Sequence, residues 1–317
     1  MADKLLEIAR LWDEAGSLVV REDEGGWLIE TPRSMPKVDT QRQVNVATVP
    51  MRSPFRYPGG KTWLVPQLRR WLLSRSLAPM RFVEPFAGGG IASLTVGFER
   101  LAKHVIFSEL DESIAAVWRV VLNGQAEWLA ERILKFRVTQ REVERTLSAD
   151  PDELRETAFQ TLIRNRMQRG GIMAKGAGLI KGGENGKGLL SRWYPETLAE
   201  RIREINSRKD RFTFVHGDAF ELLAEHAEDA GAVHYIDPPY TTAARRLYAH
   251  WQIDHARLFT AAANLKGDFL MSYDDSLDIR RLAKLHGFAV RAIAMKNSHH
   301  AKQSELLIGR DLSWVGD

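Results

Sequence analysis

The chain has 317 residues, 44% hydrophobic and 27% charged, and is long enough to bury one large core with an insertion, or two domains. It lacks cysteine, which excludes disulfides and thiolate metal sites and leads us to expect a reducing, cytoplasmic location. No apolar run approaches the roughly 18 residues of a membrane span, and no signal-peptide pattern is present. We therefore expect no membrane insertion. The histidines lack HExxH-type spacing, so we do not expect zinc catalysis either.

The net charge of +4 is unevenly distributed along the chain. Residues 155–209 contain 12 Lys and Arg against 5 Glu and no Asp, a local excess of +7. Clustered cations favour a polyanionic partner, because phosphate contacts release counterions. A solvated helical face explains the same charges without a partner, so the pattern alone leaves both interpretations open.

Residues 1–50 have the pattern of an appendage whose role the sequence does not reveal. Apolar residues between positions 5 and 12 follow the spacing of a helix. The stretch SLVVREDEGGWLIET predicts a hairpin that turns near Gly25 and Gly26. A polar stretch, 33–50, follows and is predicted to be a linker.

From residue 80 onwards, predicted strands alternate with predicted helices. The helices are IASLTVGFERLA and the stretches 254–265 and 277–286. The strands are RFVEPF, KHVIFSEL, RFTFVHGDAF, GAVHYIDPPY, GDFLMSYDDS, FAVRAIAMK and SELLIGRD. This alternation predicts an α/β fold with a doubly wound, mostly parallel seven-stranded sheet. The connection between the last two strands is too short for a parallel crossover, which predicts an antiparallel terminal hairpin.

A long segment, 112–210, interrupts the alternation between the second and third strands. Helical stretches are predicted at 124–147 and 152–168, followed by a run, 170–188, in which 8 of 19 residues are glycine. Each glycine costs about 1 kcal/mol relative to alanine inside a helix. We therefore predict an inserted, mainly helical subdomain with a mobile, basic tip, and a main domain formed by 51–111 and 211–317.

Acidic residues recur where predicted strands end, at Glu84, Glu109, Asp218 and Asp237. The carboxyl edge of an open parallel sheet is where ligands bind. One acid there is uninformative, because Asp and Glu commonly terminate strands. Four acids together with a glycine turn predict a pocket for a polar, partly cationic ligand.

The glycine turn EPFAGGGIAS fails the dinucleotide fingerprint, because Ser93 stands where GxGxxG needs its third glycine. A carboxylate at Glu84 would repel a pyrophosphate and attract a sulfonium group. This combination favours S-adenosylmethionine over a nicotinamide dinucleotide. Glu109 is placed to bind ribose hydroxyls, as the acid after such a turn does in nucleotide-binding folds.

The stretch FRYPGGKTW ends like a phosphate loop, but Phe55 stands where the first glycine is required. One interpretation is that Tyr57, Gly60 and Lys61 line the far side of the cofactor pocket, with Lys61 meeting a carboxylate. The other is a plain turn leading into a helix.

The stretch HYIDPPYTT places an acid and two prolines directly after an apolar run. Proline fixes φ and removes a hydrogen-bond donor, so Asp237 and the Pro238 carbonyl can serve as two fixed acceptors. A planar exocyclic amine has the complementary two donors, and Tyr240 offers a face for base stacking. A rigid turn is the alternative interpretation.

These motifs, in this order, resemble the S-adenosylmethionine-dependent DNA methyltransferases that act on exocyclic amines, most closely the Dam-like adenine-N6 class. The matching stretches are FRYPGGK, FVEPFAGGG, FSELDES, HGDAF, IDPPY, SYDDS and HHAKQSELLIG, with RNRMQRGGI and RWYPETLAERI in the insert. The resemblance runs from about residue 52 to 310. It implies a Rossmann-like class I methyltransferase fold in which the insert 112–210 recognises the DNA target. Glu84 and Glu109 depart from the frequent Asp but keep the charge.

The resemblance also implies a set of functional residues and no metal. Catalytic roles fall on Asp237, Pro238, Pro239 and Tyr240. Cofactor binding falls on Tyr57, Gly60, Lys61, Glu84, Phe86, Gly88, Gly90, Glu109, Leu110, Asp218, Ala219, Phe220 and Asp237. DNA binding falls on Arg164, Arg166, Arg169, Lys175, Lys181, Lys187 and Arg192.

The function so implied is site-specific methylation of the N6 amine of an adenine flipped out of duplex DNA, with S-adenosylmethionine as the methyl donor. Cytosine N4 is the nearest alternative target, and Asp at the head of the PPY motif favours adenine by resemblance. RNA, a protein glutamine and a catalytically silent DNA-binding module remain further alternatives. We expect a cytoplasmic, nucleoid-associated protein of bacterial or phage origin, monomeric or weakly dimeric, with double-stranded DNA as partner and no membrane. The target sequence and any restriction partner cannot be read from the chain.

Overall fold

The computed structural model describes residues 19–23, 26–30, 49–56, 61–173, 177–240, 252–296 and 302–315. The predicted helix near residues 5–12 lies outside the described residues, as does most of the predicted linker. The predicted site positions Tyr57, Gly60 and Lys175 also lie outside them.

The described strands form a small hairpin and one large sheet. They are β1 (Val19–Asp23), β2 (Gly26–Glu30), β3 (Arg81–Glu84), β4 (His104–Glu109), β5 (Phe212–His216), β6 (Ala232–Ile236), β7 (Asp268–Asp274), β8 (Ala289–Lys296) and β9 (Lys302–Gly309). β1 and β2 pair antiparallel with Asp23 opposite Gly26, which confirms the predicted N-terminal hairpin.

Ten α-helices lie within the described ranges. They are α1 (Val65–Leu73), α2 (Ile91–Glu99), α3 (Glu112–Leu122), α4 (Ala126–Leu134), α5 (Gln140–Ser148), α6 (Leu154–Met167), α7 (Pro195–Asn206), α8 (Ala219–Glu225), α9 (His255–Ala263) and α10 (Leu277–Leu285). The stretch 124–147, predicted to be helical, holds two helices with a break at 135–139. The Thr139 side chain accepts a hydrogen bond from the Glu142 N–H, which starts α5 with an N-cap.

The large sheet has the order β5-β4-β3-β6-β7-β9-β8. Strands β3 to β7 are parallel to one another, and β9 runs antiparallel to both β7 and β8. The doubly wound seven-stranded sheet and its antiparallel terminal hairpin are therefore confirmed. The strand order reverses between β3 and β6, and ligands bind at such a switch point in open α/β sheets.

One large hydrophobic core covers β3, β4 and β6 and continues into the helices of the segment 112–210. Trp118 on α3 is fully buried, and Leu129, Phe159 and Ile202 extend the same core through α4, α6 and α7. A second cluster packs α9 and α10 against β6, β7 and β9. These contacts do not test the predicted boundaries at 51–111, 112–210 and 211–317, which stay a prediction.

Within the described ranges, no helix has both the length and the apolar character that crossing a bilayer requires.

Candidate active site

The glycine turn at the end of β3 lies at the switch point of the sheet. Gly88 and Gly90 adopt positive φ angles of 48° and 63°, where side chains are strained. A Cβ atom on Gly90 would lie 2.9 Å from the Trp118 ring, and the Trp118 Nε1–H donates to the Gly88 carbonyl over 2.9 Å. The turn therefore needs glycine both for its backbone angles and for its packing.

Glu84 closes β3 directly beneath this turn and is only 3% exposed. The Ser93 backbone N–H and hydroxyl both donate to Glu84 Oε2, over 2.8 and 2.5 Å. Ser93 thus occupies the third-glycine position of the dinucleotide fingerprint and holds the carboxyl group. Burial raises the pKa of Glu84 to about 8 despite these bonds, and nearby Asp237 acts in the same direction.

Glu109 closes β4 on the other side of the turn. It accepts hydrogen bonds from the Gly88 and Asp111 backbone N–H groups over 3.0 and 2.9 Å. Burial raises the pKa of Glu109 to about 7. Leu110, next in the chain, is 43% exposed. The Glu109 carboxyl group therefore joins the end of β4 to the turn after β3, and the exposed side chain of Leu110 follows it in the chain.

Asp218 follows β5 on the same edge and caps α8 by accepting a hydrogen bond from the Phe220 N–H over 2.7 Å. Ala219 is buried, whereas Phe220 and Phe86 are partly buried and pack against the second apolar cluster. Tyr240 packs against that cluster too. The described positions predicted for cofactor binding therefore line one edge of the sheet, next to the motif that follows β6.

Asp237 follows β6, and three groups lie within hydrogen-bond distance of one of its carboxyl oxygens. Ser272 Oγ donates to Asp237 Oδ1 over 2.8 Å, and the Tyr240 hydroxyl oxygen lies 3.2 Å from the same atom. Lys61 Nζ lies 3.1 Å from the same atom. None of these contacts goes to Oδ2, the other oxygen. Burial raises the pKa of Asp237, while Lys61 acts in the opposite direction.

Glu305 on β9 supplies a second carboxyl group, which contacts two of the groups that also contact Asp237, namely Tyr240 and Lys61. The Tyr240 hydroxyl donates to Glu305 Oε2 over 2.8 Å, and Lys61 Nζ donates to it over 3.0 Å. Lys61 Nζ also lies 4.2 Å from the centroid of the Tyr240 ring. Burial raises the pKa of Glu305 to about 7. Lys61 begins the turn that leads into α1 and also reaches the predicted catalytic acid.

Ser272 and Glu305 were not among the residues predicted for the site. Ser272 is fully buried, and its hydroxyl also lies 2.9 Å from the hydroxyl of buried Tyr235. Ser272 begins the matching stretch SYDDS, but serine is ordinary in strands, so nothing in that stretch assigned it a role. Glu305 did leave a signal, since one acid precedes an otherwise apolar run, and such an acid needs a partner when it is buried.

Arg166 corrects the prediction of DNA contacts in the insert. Its side chain is 6% exposed and donates to the Pro54 carbonyl over 2.5 Å. Burial lowers the pKa of Arg166 to about 10. An arginine enclosed in this way cannot grip a phosphate, so it links α6 to the segment 49–56 instead.

Asn165, the neighbour of Arg166, strengthens this link. It is fully buried, and its side-chain oxygen accepts from the Arg56 N–H while its amide donates to the Arg56 carbonyl, each over 2.7 Å. The C-terminal end of α6 is thereby fixed to the chain shortly before Lys61.

The other basic positions predicted for DNA lie nearer the surface. Arg169, Lys181 and Lys187 are exposed, whereas Arg164 and Arg192 are half-buried. Backbone pairing between Gln168 and Leu179 brackets Arg169, and Lys181 and Lys187 follow after this bridge. The exposed cations therefore lie on or beside one loop, 169–190, whose predicted mobility stays a prediction.

Residues 57–162 match the family model of the D12 class N6 adenine-specific DNA methyltransferases. The match confirms the resemblance and supports methyl transfer as the reaction. It covers about one third of the chain, including the glycine turn and Glu109 but neither Asp237 nor Glu305.

Solved structures similar to the chain include the rRNA methyltransferase aviRa from Streptomyces viridochromogenes, with 14% identity, a TM-score of 0.40, and coverage of 85% of this chain and 94% of that one. Spermidine synthase from Thermotoga maritima has 12% identity, a TM-score of 0.33, and coverage of 94% and 70%. The sheet topology rests on the strands of this chain, and likenesses at this level add nothing to it. No curated protein matches the chain.

In the described part of the chain, no three His, Asp or Glu side chains are grouped so that they could hold a metal ion.

Proposed function

We propose that the protein is a site-specific DNA methyltransferase that transfers the methyl group of S-adenosylmethionine to the N6 amine of an adenine flipped out of duplex DNA. One observation carries this proposal. Asp237 Oδ1 is held by Ser272, Tyr240 and Lys61, and none of these contacts occupies Oδ2. Asp237 is also close to Glu84, which precedes the glycine turn within the stretch that matches the D12-class model.

The edge of the sheet fits S-adenosylmethionine by its donor chemistry. The turn at Gly88 and Gly90 has no side chains, so a ligand can approach the backbone closely. Glu84 and Glu109 supply acids, which suit a cationic group and hydroxyls but repel a pyrophosphate. Leu110 supplies an exposed apolar surface for a base. When bound, the cofactor supplies an electrophilic methyl group on a sulfonium centre.

The protein's own task is to make a poor nucleophile reactive. The adenine N6 lone pair is conjugated with the ring. Asp237 Oδ2 and the Pro238 carbonyl would accept its two hydrogens and draw the nitrogen towards tetrahedral geometry. This is positioning combined with electrostatic preorganisation. As the new N–C bond forms and the bond between the methyl carbon and sulfur breaks, the sulfur leaves as a neutral thioether and the nitrogen becomes cationic. Asp237 would accept the proton that the nitrogen then loses.

Tyr240 and the basic loop 169–190 would help the protein to reach a base inside duplex DNA. A base inside the duplex is out of reach, so it must be flipped, at a cost of a few kcal/mol. The Tyr240 ring offers a stacking face that offsets part of this cost. Exposed Arg169, Lys181 and Lys187 suit phosphate contacts, which position the duplex without reading its sequence.

The test is to incubate the protein with duplex DNA and S-adenosylmethionine labelled in the methyl group, then digest the DNA and identify the labelled nucleoside. We expect N6-methyladenine. Label in N4-methylcytosine would assign the alternative amine. Calorimetric binding of the cofactor without label in DNA would direct the search to RNA or protein. Binding of DNA without any cofactor affinity would identify a silent binding module.

A further inference from the structure

Glu305 belongs to no motif to which the sequence assigns a role, yet it completes a closed arrangement of four polar groups. Lys61 Nζ and the Tyr240 hydroxyl each contact both Asp237 Oδ1 and Glu305 Oε2, with all four distances between 2.8 and 3.2 Å. Two donors thus bridge two carboxyl groups. Glu305 is 6% exposed, so water does not substitute for these contacts.

The second carboxyl group is not needed to neutralise Lys61, because Asp237 already does so. It even adds a like charge close to Asp237, which is unfavourable for both carboxylates. Burying a charged group is costly unless it is paired and hydrogen-bonded. Glu305 therefore contributes by fixing the positions of the groups that it contacts, Lys61 and Tyr240, rather than by neutralising charge.

The hydroxyl of Tyr240 has one proton and two acceptors. It lies 2.8 Å from Glu305 Oε2 and 3.2 Å from Asp237 Oδ1, so the shorter and stronger bond goes to Glu305. Without Glu305, this proton would turn to Asp237. The acid that must accept from a substrate amine would then carry a third strong donor and become a weaker acceptor.

We propose that Glu305 is a positioning residue of the methyl-transfer site, which pins the Tyr240 hydroxyl and the Lys61 ammonium so that the Tyr240 ring and Asp237 Oδ2 face the same base. This rests on the proposed function, which it deepens. Glu305 does not touch the reacting atoms, and it acts through Tyr240, Lys61 and Asp237.

The charged and titratable groups around this arrangement come from several elements. They are Lys61 before α1, Glu84 on β3, Tyr235 on β6, Tyr273 and Asp274 on β7, and Glu305 itself on β9. Removing Glu305 deletes a neighbouring negative charge and leaves Lys61 to Asp237 alone. Both changes favour the ionised form of Asp237, so the acid limb of the rate profile should move to lower pH.

The kinetic experiment compares Glu305→Ala and Glu305→Gln with the wild type and with Glu99→Gln. Glu99 is ion-paired to Arg69 at the C-terminal end of α2, remote from the site, and serves as the matched control. Single-turnover methyl transfer to duplex DNA should fall roughly 10- to 100-fold in Glu305→Ala, the factor expected for losing a hydrogen bond to a charged group. Glu305→Gln keeps one acceptor oxygen and should lose less. Both should bind S-adenosylmethionine within about threefold of wild type, because the bonds lost are not bonds to the cofactor.

A spectroscopic measurement reads the contact without any reaction. 3-Fluorotyrosine at position 240 should give a fluorine resonance that shifts as Glu305 titrates in the ligand-free protein. The shift with a midpoint near the Glu305 pKa of about 7 should be lost in Glu305→Gln, which preserves the shape of the side chain, and persist in Glu99→Gln.

The outcomes distinguish a failure of the positioning role of Glu305 from a failure of the proposed function. If the wild type methylates DNA and Glu305→Ala keeps its rate within twofold, or the fluorine shift survives in Glu305→Gln, the positioning role is wrong and the function stands. If the wild type transfers no methyl group to DNA, the proposed function fails, and the positioning role for that reaction falls with it.

Discussion

The acidic cleft, by which we mean Lys61, Asp237, Tyr240 and Glu305, differs from the basic loop 169–190 in how its polar residues are held. In the cleft, Lys61, Tyr240 and Glu305 are mostly enclosed. Lys61 and Tyr240 each contact both Asp237 and Glu305 at hydrogen-bond distance. In the loop, Lys181 and Lys187 extend into solvent. Chemistry at a single nitrogen needs fixed distances, whereas attraction to phosphates needs only charge within reach. Substitutions in the cleft should therefore change rates, and substitutions in the loop should change affinity.

The largest expected effect comes from removing the acceptor itself. Asp237→Ala should reduce single-turnover methyl transfer by roughly 1,000-fold or more, because it removes a preorganised group aimed at the reacting amine. Calorimetry should still show binding of S-adenosylmethionine, if weakened. Retention of full activity in this variant would refute the assignment of the cleft.

A pair of glycine substitutions compares the packing of the two regions. Gly90 and Gly186 both have positive φ, but a Cβ on Gly90 meets Trp118 at 2.9 Å while one on Gly186 meets nothing within 4 Å. Gly186→Ala should cost roughly 1 kcal/mol of unfolding free energy from backbone strain alone. Gly90→Ala should cost a further 1–3 kcal/mol, roughly, from overpacking. Urea denaturation measures both, and equal losses would contradict the close packing of the glycine turn.

Removing charge from the loop should weaken DNA binding without touching the chemistry. Lys181→Ala with Lys187→Ala should lower affinity about tenfold at moderate salt and reduce the slope of log affinity against log salt by about 2, one unit per phosphate contact. The rate at saturating DNA should not change. Lys135→Ala, which removes an exposed cation paired with Glu131, is the control. A fall in the saturated rate would show that the loop takes part in catalysis.

The smallest effects expected are pH dependences, first of the stability of the protein and then of its affinity for the cofactor. Glu84 has a pKa of about 8, and Glu109 and Glu305 have values of about 7, whereas unfolded carboxyl groups titrate near 4.3, roughly. The folded, ligand-free protein therefore holds protons that the unfolded chain has released, and these groups contribute stability that is lost as pH rises from about 4.5 to 8.

A cationic cofactor favours the ionised carboxylates, so its affinity should rise severalfold between pH 6 and 8.5. Glu84→Gln should flatten this rise, and Glu99→Gln should not. Calorimetry at the two pH values decides the matter, and an affinity that falls with rising pH would show that no cation binds beside these acids.

The sheet could be read from the sequence because its strands are apolar runs closed by acids and separated by helical patterns. The short connection before SELLIGRD likewise marked the terminal hairpin. What could not be read is which strand of that hairpin lies next to β7. Because β9 takes that place, Glu305 faces Asp237, and no periodicity within a strand reports its neighbour.

The charge pattern gives a wrong prediction at Arg166. A basic residue in a basic helix predicts exposure, but α6 is buried on nearly all sides, and Arg166 finds the Pro54 carbonyl instead. The Lys61 turn shows the reverse case. Spacing left two interpretations, and only the fold brings that side chain to Asp237.

The most direct test of the account is to map modified bases in the DNA of cells that express this chain and, in parallel, its Asp237→Ala variant. We predict N6-methyladenine within one recurring sequence in the first DNA and none above background in the second. Unmodified DNA in both cultures, or equal modification in both, would contradict the central claim that Asp237 presents an acceptor to an extruded adenine.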